Sequence, residues 1–389
     1  KFGKVTPEDF TITSPAIDSN SYAVTIFDKG DISFVGNKTG WFSYVLKRST
    51  RIKILNKKGF DLATVNLRLY KDKDSKEKVE NLTGITYNLE NGAIAAVKLN
   101  SKDVFEEKSD KEHYSKKFTM PAVKEGSIIE YSYTIKSDFI FNLPSWEFQS
   151  TDCPILWSEF NVIIPGFLSY MSSFQGYHKF YIDKSGEGNS NYVMTRGNAN
   201  SNAFGSGADE RLDISSPTTL HRWVMKDNPA LNEENYISTP DNIIDKISFQ
   251  LYKTYDGEKF HDVANNWKKM AEDLMAKEDF GKSLNEDNLW LEKVLEGVVL
   301  PTDNALQAAK KVYYYVQNNY TCNNHYDKYI KTTLRDVVKK KSGTIGDINL
   351  LLIALLNYLK IEAQPVLLST KEYGTNSPTY PLLQKLNYV

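Results

Sequence analysis

The chain is poor in the residues that mark common site chemistries. Of its 389 residues only Cys153 and Cys322 are cysteine, and five are histidine. Two cysteines so far apart, in stretches of different character, exclude a disulfide framework and a cysteine-based zinc cluster. His113, His178, His221 and His261 are scattered and read as ordinary surface or core residues. Charge of one sign is also lacking. Lys plus Arg is 48 against 49 for Asp plus Glu, and a net charge of −1 removes the electrostatic case for a nucleic-acid partner. No apolar run reaches the length of about eighteen residues that a membrane-spanning helix needs. No cofactor or metal is expected. The chain begins at Lys1 with neither an initiator Met nor a signal peptide, so it reads as a mature or trimmed product.

Aromatic residues, by contrast, are plentiful at 13%, with 24 tyrosines, which favours β-structure or contacts with sugars and peptides. Residues 1–225 read as strands and turns. Tyr22, Val24 and Ile26 alternate, Asp28–Asp31 reads as a turn, and Ile32 and Phe34 resume the strand. Arg51–Leu55 and Leu62–Tyr70, joined through Lys57–Gly59, read as a hairpin. Asn91-Gly92 between Ile85–Leu89 and Ile94–Val97 is a stronger hairpin signal. Ile128–Ile135, Trp146–Gln149 and Phe160–Ile164 continue the pattern, and Lys184–Asp209, rich in Gly, Asn and Ser, reads as partly loop. Trp146, Trp157 and Trp223 sit at strand positions where a buried sandwich core is the simpler reading and a sugar-stacking platform the sharper one.

The composition then changes. Residues 226–300 hold nine Lys plus Arg against sixteen Asp plus Glu, and residues 301–389 hold eleven against six. Helices are expected over Asp262–Lys277, with Val263, Trp267, Met270, Ala271 and Leu274 on one face, and over Asp287–Val299. A third covers Ala305 to about Asn319, capped by Thr302 or Asp303. A loop with Cys322 and His325 follows, then a short helix at Leu334–Val338 ending in Lys339–Lys341, a solvated basic end.

Beyond it lies the stretch with most chemical promise. A turn from Gly343 to Gly346 runs into Leu350–Leu356 and Leu359, an apolar block that reads as a helix buried nearly all round. Asp347 lies in its first turn, where a negative charge suits the helix dipole. Val366–Leu368, after Pro365, reads as a strand. Backbone N–H groups at such a helix start lower a thiol's pKa and stabilise an oxyanion. Thr344 offers a hydroxyl there, but without an adjacent base it reads as a capping group. Cys322 and His325 are the sole Cys–His pair close in sequence; adding Asp327 still leaves a zinc site one ligand short.

In this order of elements the chain resembles transglutaminase-like proteins, a branch of the papain-like cysteine enzymes. Leu334–Val338, Lys341, Gly343, Asp347, Leu350–Leu356, Ile361, Ala363 and Val366 carry the likeness. The N-terminal part resembles a β-sandwich domain of unknown function that exported Bacteroidete proteins place before such a core. Arg51–Leu55, Met120–Gly126 through Tyr131–Tyr133, Trp146–Gln149 and Pro154–Ser158 carry that second likeness. The resemblance implies a multidomain α+β protein that is exported, periplasmic or on the cell surface. Its parts are an all-β sandwich over 1–225, an acidic helical connector over 226–300 and a partial transglutaminase-like (papain-like) α/β domain over 301–389.

The resemblance also implies a nucleophilic cysteine between Gly343 and Asp347, a histidine base on a strand after Val366–Ser369, and an acidic third member. Ile345 stands at the first position and Tyr388 at the second, and the third would lie beyond Val389. Isoleucine has no nucleophile, so the acyl-enzyme route is closed there. No catalytic residue is therefore assigned, and Ile345 is expected to pack into the apolar core. The leading expectation is a non-catalytic protein that binds a peptide, a protein or a cell-surface polymer. Two alternatives stand beside it: a cysteine peptidase, amidase or transglutaminase-like enzyme using Cys322 and His325, and a carbohydrate-binding sandwich. Lys360 occupies a position where the family tends to place glycine, and a left-handed cap kept there costs about 1 kcal/mol.

Overall fold

The computed structural model describes residues 2–72, 75–108, 113–196, 210–232, 239–256, 258–263, 266–285, 288–325, 327–376 and 381–389. The chain divides into two compact units, Lys1–Val263 and Ala264–Val389.

In the first unit, strand Ala23–Gly36 sits inside an eight-stranded sheet, antiparallel to Phe42–Ile54 and parallel to Ile155–Pro165. Beyond Phe42–Ile54 come Ile128–Ser137, Lys78–Glu90 and Ala93–Lys98; beyond Ile155–Pro165 come Glu210–Asn228 and Ile182–Arg196. Side chains alternate across a strand, so Phe42, Tyr44, Leu46, Ile52 and Ile54 share one face. The first three join a cluster with Phe160, Trp223, Phe249 and Leu251. Ile52 and Ile54 join another with Leu67, Phe118 and Ile129. The large sheet is thereby packed on two smaller ones. One is built from Leu168–Gln175, Lys246–Tyr255, Phe260–Asp262 and the short Trp146–Glu147, the other from Thr64–Tyr70, His113–Thr119 and Val104–Lys108.

Several local expectations change. Asp28–Asp31 is not a turn but the middle of strand Ala23–Gly36. Gly30 is there because a Cβ would fall 2.3 Å from the Trp146 ring. Asp28 is buried and accepts from Arg48 at 3.0 and 2.6 Å and from Thr50 at 2.8 Å. Arg51–Leu55 and Leu62–Tyr70 do not form a hairpin. Lys57–Ala63 is a 3-10 helix that carries the chain out of the large sheet, and Thr64–Tyr70 pairs with His113–Thr119. The hairpin at Asn91-Gly92 forms, with φ of 51° and 80° at its two turn residues. Of Lys184–Asp209, expected to be partly loop, Lys184–Arg196 is strand along its whole length, laddered to Glu210–Asn228; residues 197–209 lie outside the described residues.

Nor does 226–300 behave as one helical connector. Ile247, Phe249 and Leu251 alternate into the sandwich core on a strand paired with Leu168–Gln175, whereas the helices from Trp267 onward belong to the second unit.

The second unit is built on helices Trp267–Ala276, Ala305–Asn319, Leu334–Lys340 and Ile345–Tyr358. Met270, Leu274, Val312, Val316, Leu350 and Leu355 lie in a shared buried cluster. Helix Ala305–Asn319 is capped by Asn304, not by Thr302 or Asp303. Asn304 accepts from Gln307 N–H at 3.0 Å and the Gln307 side chain returns the bond at 3.0 Å. Asp303 is engaged instead by Lys311 at 2.8 and 2.7 Å. The helix expected over Asp287–Val299 shrinks to a 3-10 turn at Leu289–Leu291 and a short helix at Glu292–Leu295, and Gly297 follows with φ 76°. Val366–Leu368 forms no ladder: its single bridge is Leu368 to Tyr388, and Val366 stays 73% exposed. Among the described residues no helix is long and apolar enough to cross a membrane.

Candidate functional site

The head of helix Ile345–Tyr358 is fixed by its first residues. Thr344 Oγ1 accepts from Asp347 N–H at 3.2 Å, and Asp347 Oδ2 accepts from Thr344 N–H at 2.9 Å, a reciprocal capping box. The other oxygen of Asp347 accepts from Lys331 N–H at 2.8 Å and Thr332 N–H at 3.3 Å. At 1% exposure this carboxylate is a staple between the helix head and the preceding loop. Both glycines follow from the same packing. A Cβ on Gly343 would fall 2.7 Å from Asp347 Cβ, and one on Gly346 would fall 2.8 Å from the Tyr329 carbonyl oxygen. The Thr344 hydroxyl and the Asp347 carboxylate are thus committed to backbone groups.

Ile345 lies between them in the first turn of the helix. It is half-buried and, among the described residues, is not a member of the hydrophobic cluster that holds Leu350, Leu351 and Leu355. The expectation that it extends the core is therefore corrected. The loop around Tyr329 closes against Gly346, and the cluster begins at Ile348, one turn further on.

Cys322 and His325 stand one strand away. Thr321–Asn324 runs parallel to Ser342–Thr344, with Cys322 opposite Gly343. Cys322 Sγ is 3.6 Å from His325 Nδ1 and donates to the Asn324 carbonyl at 3.3 Å. This pair is close enough for proton transfer between thiol and imidazole. Asp327 does not join it as a third group: its carboxylate takes Tyr329 N–H at 3.2 Å and faces Lys331 at 3.5 Å. Lys341, at the basic end of the short helix, is not simply solvated. Its ammonium donates to Tyr315 Oη at 2.8 Å and lies 4.6 Å from the Tyr320 ring centroid.

Tyr388 belongs to a terminal segment that runs beside the same helix. Leu368 and Tyr388 exchange backbone bonds of 2.9 and 3.2 Å, Leu386 and Val389 are buried, and Asn349 Nδ2 donates to the Val389 carbonyl. Cys153 belongs to the first unit, 3% exposed and 3.4 Å from Thr25 Oγ1; burial pushes its thiol up to about 11. Both cysteines are free.

The remaining candidates are placed elsewhere. Trp146 is stacked on Phe160 at 4.9 Å and Trp223 on His221 at 5.0 Å, both buried in the sandwich, so neither serves a sugar platform. His178 is bound to Asp245 at 2.6 Å, His261 to Asp256 at 2.5 Å, and His113 lies edge-on to Tyr70. The sequence reading missed a polar cluster around Glu159. Its signal was there, in Trp157, Glu159 and Asn161 alternating with apolar Phe160 and Val162.

Comparison with known proteins agrees with this division. Residues 42–200 match the family model of a domain of unknown function, DUF3857, and residues 292–380 match that of the transglutaminase-like superfamily. Among solved structures the chain is similar to a "putative protease" from Parabacteroides distasonis ATCC 8503, with a TM-score of 0.56 and 13% identity over 86% of this chain. The chain spans 58% of the length of that structure, and at this identity the likeness is one of fold. A "putative nutrient binding protein" from Legionella pneumophila aligns over 87% of this chain and 95% of its own, but with a TM-score of 0.21 and 8% identity it carries no argument. No curated protein matches.

Proposed function

With residues 292–380 matching a transglutaminase-like core, we propose that this protein is exported and works by binding a peptide, a protein or a cell-surface polymer, and not by acyl transfer. One observation carries the reading: the residue where the superfamily resemblance expects the nucleophile is Ile345, half-buried at the helix head. Its neighbours offer no substitute. The Thr344 hydroxyl caps the helix and the Asp347 carboxylate holds three backbone N–H groups. At the position proposed for the base stands Tyr388. What remains is a rigid helix start with an apolar residue at its rim, suited to contact rather than chemistry.

The test is an assay of the purified chain against fluorogenic peptide amides and for amine incorporation into a glutamine-bearing peptide. No turnover above buffer is expected. Turnover that disappears on substituting any residue of Gly343–Asp347 would overturn the reading.

A second reading rests on the 3.6 Å contact of Cys322 with His325, beside the same helix head. It makes Cys322 the nucleophile and His325 the base of a cysteine hydrolase. That reading requires turnover that vanishes in Cys322→Ala and survives in Ile345→Ala.

A further inference from the structure

The face of the large sheet that points away from its apolar core carries a cluster that neither the core nor the helix head uses. Trp157, Glu159 and Asn161 alternate along strand Ile155–Pro165 and point to that face, opposite to Phe160 and Val162. Glu159 is the hub. One carboxylate oxygen accepts from Trp157 Nε1 at 2.8 Å and faces Lys29 at 3.3 Å; the other accepts from Arg222 Nε at 3.0 Å and Asn161 Nδ2 at 3.3 Å. Asn161 also donates to Asp31 at 2.9 Å. Burial opposes the Glu159 charge, yet these donors outweigh it and hold the carboxyl down to about 2. Desolvating a carboxylate and ordering the side chains around it is costly, and here all of them come from three adjacent strands of the same sheet.

At the margin of the cluster Tyr181 is 64% exposed, its ring 6.0 Å from Trp157 and inclined at 70°. The segment that presents it is rigid. Tyr181 N–H is bonded to Val224 at 2.8 Å, and Phe180 lies against Phe148 at 5.2 Å and Phe174 at 4.7 Å. Fully buried Asp245 accepts from Tyr177 N–H at 2.9 Å and His178 N–H at 3.2 Å. Gly176 has φ 123°, and a Cβ there would fall 2.0 Å from Asp245 Oδ1. An exposed aromatic ring is thereby held beside a fixed array of planar donors and acceptors.

We propose that this surface binds a neutral carbohydrate chain, with a sugar ring against Tyr181 and hydroxyl groups bonded by Arg222 and Asn161. The electron-rich face of an aromatic ring suits the C–H face of a sugar, and fixed planar amide and guanidinium groups suit its hydroxyls. Lys29 and Arg222 are balanced by Glu159 and Asp31, and Lys226, whose ammonium lies 5.9 Å from the Tyr181 ring centroid, is paired with Asp227 at 3.5 Å, so these paired groups carry no net charge to select an ion. An extended peptide adding as a strand is disfavoured, because Ile155–Pro165 is laddered on both sides and offers no free backbone edge. The inference goes beyond the preceding reading. It concerns the other unit, so its failure leaves the absence of acyl transfer untouched.

Affinity electrophoresis of the full chain tests it, in native gels containing a neutral β-glucan, a xylan, a mannan or the acidic polymer polygalacturonate. At least one neutral polymer is expected to retard the protein, and to do so at high salt. Tyr181→Ala is expected to weaken that affinity about tenfold or more, and Tyr181→Phe to keep it within about threefold. The proposal is overturned if no neutral polymer retards the chain, if Tyr181→Ala binds as well as the parent, or if polygalacturonate alone retards it and salt abolishes the effect.

Discussion

Lys360 shows what a single side chain costs when the backbone has already chosen its conformation. The helix Ile345–Tyr358 ends with Lys360 at φ 60°, Lys360 N–H bonded to Asn357 at 3.0 Å and Ile361 N–H to Leu356 at 3.0 Å. These are the two bonds of a Schellman cap, in which glycine is free of the steric cost that a Cβ brings. Lys360→Gly is therefore expected to stabilise the protein by about 1 kcal/mol, read as a higher urea midpoint at unchanged slope. Lys341 has almost the same backbone, with φ 54°, but its ammonium is engaged by Tyr315 and Tyr320. Lys341→Gly relieves the same strain while losing those contacts, so its gain should be smaller or absent. The first of these caps was legible in the sequence from the end of the leucine block. The second was not, because the phenols that hold Lys341 lie about twenty residues or more upstream.

Elements with local signals were the legible ones. The periodic leucines of Ile345–Tyr358, the capped helix Ala305–Asn319 and the Asn91-Gly92 hairpin all carry their cause within a few residues. What failed were inferences whose cause lies far along the chain. Gly30 reads as a turn until Trp146 arrives from more than a hundred residues away to lie against it, and nothing local in Lys184–Asp209 marks where its strand lies, because Glu210–Asn228 supplies the ladder of Lys184–Arg196. Asp347 combines both kinds of cause: its cap to Thr344 is local, its bonds to Lys331 and Thr332 are not. Asp347→Ala leaves three backbone donors unpaired at the helix head and is expected to cost about 3 kcal/mol or more, measured by urea unfolding. Asp347→Asn keeps one acceptor and should cost less. On the other unit, strand Ile155–Pro165 predicts a pH dependence. The Glu159 carboxyl sits at about 2 in the fold against an ordinary 4.5, so the unfolded chain takes up its proton first as the pH falls. Its contribution to stability is full above about 4.5 and is lost as the pH falls toward about 2. Unfolding free energies measured across that window should decline less steeply in Glu159→Gln than in the parent.

At the scale of the whole molecule, two units with one free cysteine apiece allow the two readings of the helix head to be separated by a single reagent. Cys153 is 3% exposed, bonded to Thr25 and pushed up to about 11, so it should resist alkylation while the sandwich is folded. Cys322 is half-buried, and so more accessible than Cys153, on a short strand. Iodoacetamide at neutral pH is expected to add one label to the native chain, at Cys322, and a second only in denaturant, as read by intact mass. The rate of the first label carries the functional information. Thiolate, not thiol, reacts, and an imidazole 3.6 Å from the sulfur can supply it only by taking the proton. If the protein acts by binding, His325 is a neighbour without a catalytic task, and His325→Ala should label within about twofold of the parent rate. A hydrolase built on Cys322 requires His325 to activate the sulfur, and the same variant should then label about tenfold more slowly. Because Ile345 and the Asp347 staple lie outside that proton path, Ile345→Ala should leave the rate unchanged under both readings, which makes it the control that separates loss of activation from loss of fold.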